Sequence, residues 1–136
     1  MMEINFVQEN GVATALAQRQ ASEDRVLSEA VGRVAAYWKL TNEQLGAILG
    51  LSPATASRLR AGSVRLDRSN KAFELGQYLV RLFRSLDALM GSNDAAATAW
   101  LRTANLDLDG RPIDLIRTVR GLTAVADYVD DHRAQV

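Results

Sequence analysis

The residues best suited to surface chemistry stand close together: Ser52, Ala54, Thr55, Ser57 and Arg58, within the run SPATASRLR. Short hydroxyls reach phosphate oxygens or base edges, an alanine methyl can meet a thymine methyl, and an arginine can read guanine with two parallel donors. Basic residues thicken just beyond. Arg58, Arg60, Arg65, Arg68 and Lys71 face Asp67 alone between Leu51 and Lys71, a concentration of positive charge suited to phosphate contacts. A solvated basic face would carry the same residues, so the weight falls on the element that presents them.

That element is legible from Gln44 to Gly62. Leu45, Leu49, Leu51, Ala56 and Leu59 are spaced to lock two short helices at a steep angle. Gly46 keeps the first helix thin where the second crosses it, and Gly50 supplies a left-handed turn that a residue with a Cβ resists. The spacing is that of a helix-turn-helix, whose second helix offers its N-terminal end to a major groove. The candidate DNA contacts are therefore Gln44, Ser52, Ala54, Thr55, Ser57, Arg58, Arg60, Arg65, Arg68 and Lys71. One such unit binds weakly, so a homodimer reading two half-sites on operator DNA is the natural form.

Composition narrows the remaining classes. Lys plus Arg and Asp plus Glu number 16 each in 136 residues, which argues against coating nucleic acid by bulk charge. The chain has no cysteine, and His132 is its single histidine, so thiolate and multi-histidine metal sites are excluded. No Ser-His-Asp set can be built around one histidine near the end of the sequence. The DLDG run at 107–110 lacks the further acidic ligands of a calcium loop. A non-enzymatic protein without cofactor or metal is expected. No signal peptide or apolar span of membrane length is visible, so a cytoplasmic location is expected.

Apolar residues recur at helical spacing almost throughout, and the fold class expected is all-α, with about seven helices. Residues 1–21 are weakly patterned and read as a loosely ordered or loosely helical segment. Ser22 is placed to cap a helix with Val26, Ala30, Val31, Val34, Ala35 and Trp38 on its inner face, opening a DNA-binding domain over 22–68. A long helix follows within 69–92, where Leu75, Leu79, Leu82, Leu86 and Leu89 form a stripe. The stripe reads as core-facing in preference to a seam between two copies, which needs more heptads. Gly91 ends that helix, and residues 93–136 hold an alanine-rich helix burying Trp100, a polar loop, a short helix from Pro112, a break at Gly121 and a last helix.

The tail WLRTANLDLDGRPIDLIRTVRGLTAVADYVDDH resembles the C-terminal domain of the Xre/MbcA/ParS antitoxin family. The matching positions are Trp100, Leu101, Asn105, Leu108, Gly110, Pro112, Leu115, Ile116, Gly121, Val125 and Val129. Ala104 stands where members often have proline. The upstream helix-turn-helix is similar to the N-terminal part of the same proteins, so the resemblance covers roughly 22–132. It implies an Xre/Cro-like bundle followed by a small helical toxin-binding domain. It further implies an antitoxin of a type II toxin-antitoxin system, whose partner is a RES-domain toxin that consumes NAD. The C-terminal domain would occlude the toxin's active site, and the helix-turn-helix would repress the operon. On that basis Asn105, Leu108, Arg111, Asp130, Asp131, His132 and Arg133 are the candidate toxin contacts. Deleting residues 121–136 would then free the toxin and leave the DNA-binding part folded. Two alternatives stay open: a stand-alone dimeric transcriptional regulator, and an interaction module without a DNA role.

Overall fold

The computed structural model describes residues 2–134, with side chains from Asn10 onward. Among them lie seven helices: α1 (Met2–Tyr37), α2 (Asn42–Leu49), α3 (Pro53–Ala61), α4 (Lys71–Leu89), α5 (Asp94–Arg102), α6 (Pro112–Leu115) and α7 (Val119–Ala134). The all-α expectation holds. None of these helices is long and apolar enough to cross a membrane.

Local chemistry sets the helix ends. Thr41 and Gln44 form a reciprocal capping box at the start of α2: each side chain accepts from the other's backbone N–H, at 3.0 and 2.9 Å. That pair satisfies two donors a helix start otherwise leaves open. Gly50 closes α2 at φ 71°, a conformation that costs a side chain strain. Ser52 caps α3 with Pro53 in its first turn, where the missing N–H is no loss. Asn70 caps α4 and Asn93 caps α5.

The core gathers on α4, which packs against α1, α2, α5 and α7. Leu79, Leu82 and Leu86 are fully buried within the one chain. The leucine stripe is thus a core face, and it cannot serve as the seam of a dimer. Gly46 is needed for the turn itself and not for the crossing of α3: a Cβ there would lie 2.5 Å from the Leu51 carbonyl oxygen, so only glycine lets the turn fold back on α2.

Four expectations need correction. Ser22 caps nothing, because α1 runs unbroken from Met2 to Tyr37; residues 2–21 continue it beyond the body. Val26 is exposed rather than inward, since the inner stripe passes through Ser28, Val31, Val34, Ala35 and Trp38. Trp100 is half-buried, stacked on Tyr128 at 6.3 Å. Gly121 does not break the chain but sits in the first turn of α7, where α7 crosses the end of α6.

The two halves share this core and are also bolted at their rims. Arg102 of α5 donates to the Trp38 and Lys39 carbonyl oxygens at 2.8 and 3.3 Å. Arg117 pairs with Glu43 in the first turn of α2 at 2.7 Å. The buried Ser28 hydroxyl accepts from the Leu66 N–H at 2.8 Å and donates to the Asp24 carbonyl oxygen at 2.7 Å, which ties the α3–α4 connection to α1.

Candidate nucleic-acid and protein interfaces

The first surface is the exposed side of α3 and its flanks. Ser52 accepts from the Thr55 N–H and donates to the Thr55 hydroxyl oxygen. Both hydroxyls therefore serve the cap while remaining at the surface. Ala54, Ser57 and Arg58 are exposed. Gln44 spends its side-chain oxygen in the capping box, which leaves its amide N–H donors for a phosphate.

The basic residues divide. Arg60 turns back on the body, donating to the Leu40 carbonyl oxygen at 2.7 Å and to Asn42 at 3.3 Å. Arg68 is held by Glu23 and Asp24 and lies over the Phe73 ring, so its guanidinium is held above its ordinary pKa, chiefly by the Glu23 hydrogen bond. Lys71 pairs with Glu74, which raises its pKa in turn. Arg58 and Arg65 form no ion pair among the described residues. The patch seen in sequence is thus partly neutralised by the chain's own acids.

Sequence reasoning missed two neighbours of this surface. Arg25 and Arg33 of α1 line a groove of about 470 Å³ with Arg60 and Arg65. Their i, i+8 spacing on one helix was the available signal.

The second surface is built on the loop between α5 and α6. The Asn105 side chain accepts from the Asp107 and Leu108 N–H groups at 2.9 and 3.2 Å. Asn105 and Gly110 also exchange two backbone bonds, with Asp109 at φ 59°. This folding pushes Leu106 outward until it is 97% exposed. Tyr128 of α7 braces the loop, donating to Asp107 at 2.8 Å, and that bond raises the phenol's pKa. Trp100, Tyr128 and His132 form a row of rings beside the loop, with Tyr128 and His132 only 4.1 Å apart. The His132 Nδ1 bonds the Tyr128 carbonyl oxygen at 2.8 Å.

The expected toxin contacts do not fall on one surface. Asn105 and Leu108 are half-buried builders of the loop, and His132 borders it through Tyr128. Arg111 is exposed and paired with Asp114, and Asp131 is exposed on α7. Asp130 and Arg133 line a different groove, with Arg81 and Arg84. Asp130 is tied to Ser85 and Arg81 of α4, which makes it a clamp between helices. Leu106 is the residue that sequence reasoning passed over; an apolar side chain amid Asn and Asp in a turn was its signal.

The Ser85 hydrogen bond, followed by Arg81, holds the Asp130 carboxyl below its ordinary pKa against the opposing effect of burial. A depressed folded-state pKa stabilises the fold above the unfolded value, and that stability is lost as pH falls through the folded one. Asp130→Asn should therefore lower stability by about 1–2 kcal/mol at neutral pH. The deficit should shrink towards pH 3 in urea denaturation followed at several pH values.

No curated protein matches the chain. Two family models do. Residues 17–81 match the antitoxin Xre-like helix-turn-helix domain, and residues 85–134 match the antitoxin Xre/MbcA/ParS C-terminal toxin-binding domain. Consecutive and in that order, they fall on the two surfaces just described: the chain belongs to the Xre/MbcA/ParS family of antitoxins.

Proposed function

We propose that this chain neutralises a RES-domain, NAD-consuming toxin by covering its active site with the loop and last helix of the C-terminal half. In the same reading, two copies bind operator DNA through α3 and repress the toxin-antitoxin operon. The chain acts by binding, without a reaction of its own. The observation that carries this reading is the consecutive match to a DNA-binding and a toxin-binding domain in one chain. The geometry supports it with an outward Leu106 beside a row of rings, the apolar and aromatic make-up favoured at interface centres.

Co-expression with a RES-domain toxin encoded beside this chain tests the proposal. A soluble complex and restored growth are expected; no complex with such a neighbour would refute the toxin assignment. For DNA, Arg58→Ala with Arg65→Ala should weaken operator binding about tenfold to a hundredfold at moderate salt and flatten its salt dependence by about two phosphate contacts. Gel retardation across a salt series checks this, and an unchanged slope would count against α3 as the reading helix.

A further inference from the structure

From Asn10 to Arg19 every side chain of α1 is exposed. This stretch is a helix standing clear of the body, and it carries a glycine, Gly11, and the β-branched Val12 and Thr14. An isolated helix of such composition is marginal in water and gains its stability from packing an apolar face. The face exists: Val12 is 69%, Leu16 49% and Val26 59% exposed.

These residues follow a heptad seam. Val12, Leu16, Arg19, Glu23, Val26 and Ala30 recur at alternating steps of four and three, the spacing of the contact positions in a two-helix coil. The seam is complementary to itself when reversed. About an axis at the level of Ala21, an antiparallel second copy would place Leu16 on Val26, Val12 on Ala30 and Arg19 beside Glu23, each pair occurring twice.

The body leaves room for that copy. Glu23, Val26 and Ala30 line the groove of about 1010 Å³ that Asp130 and Arg133 border from the end of α7. It runs between α1, α4 and α7, and Leu27, Phe73 and Val80 are its apolar lining. Charge agrees with the register. Arg19 has no ion pair among the described residues, and Glu23 meets Arg68 through one oxygen only. We propose that the groove along α1 receives the projecting α1 of a second copy, in an antiparallel pair closed by reciprocal Arg19–Glu23 bridges. The interface rests on the two-copy reading above, and it replaces the leucine stripe of α4 as the place where copies meet.

Analytical ultracentrifugation of the full chain tests this. The unmutated chain sediments as a dimer. Arg19→Glu sets like charges opposite each other twice and weakens dimerisation about tenfold or more, two exposed ion pairs being lost. Adding Glu23→Arg restores the dimer, since Asp24 still holds Arg68. The two single variants, mixed, pair with each other better than either does with itself. Leu16→Asp disrupts the dimer by a route independent of charge, and circular dichroism of the body confirms that each variant folds. A monomeric unmutated chain would overturn both the two-copy reading and the interface. A dimer indifferent to Arg19→Glu, or a reversal that Glu23→Arg does not rescue, would overturn the interface alone.

Discussion

Gly121→Ala is expected to destabilise the chain by about 3 kcal/mol or more, roughly a 10 °C fall in Tm for a domain of this size. A Cβ on residue 121 would lie 1.8 Å from the Leu115 carbonyl oxygen and 2.6 Å from its carbon. Those neighbours are backbone, so no rotamer change relieves the clash; α6 and the first turn of α7 must part. Leu122, Val125 and Val129, buried directly after the corner, would lose contact with α4. Gly32→Ala is the internal control, since a Cβ there meets nothing within 4 Å and alanine suits a helix interior better by about 0.8–1 kcal/mol. Thermal melts of the two variants should move in opposite directions. A Gly121→Ala protein melting like the unmutated chain would show that the α6–α7 corner is looser than described.

Leu106→Asp should leave the fold untouched and weaken the toxin complex about thirtyfold or more. Nothing among the described residues covers Leu106, so its replacement removes no intramolecular packing there, and the Asn105 bonds that shape the loop use other atoms. At an interface the same side chain would be desolvated, and a well-packed anchor is worth about 2 kcal/mol or more, with a buried unpaired carboxylate adding to the loss. Titration calorimetry with the toxin measures the affinity, and the Tm of the free chain checks the fold. Full affinity in the variant would move the contact surface away from this loop.

Much of this architecture could be read from residue spacing. The turn glycines, the caps at Ser52 and Asn93 and the apolar positions of α2 and α3 are local matters, decided within a few residues. The start of α1 was misread because Ser22 is a good cap by type, yet nothing before it stops the helix. The sites were less legible because charge partners are distant in sequence. Arg68 meets acids more than forty positions earlier, and Asp130 meets Ser85 and Arg81 from another helix. Side-chain type marks a residue as able to bind; only the fold shows whether it is already occupied. Leu106 failed in the opposite sense, because its exposure depends on a turn closed by Asn105 and Gly110.

The bolts formed by Arg102 and Arg117, together with the shared leucines of α4, bear on how the chain comes apart. Removing 121–136 would strip α7 from Leu79, Leu82 and Leu86 and so undermine the helix-turn-helix, contrary to what the domain boundaries suggested. Two recognisable modules with one core should therefore melt in a single transition, which calorimetry of the full chain would show. On the proposed function, losing that shared core would release DNA and toxin together, wherever unfolding is initiated.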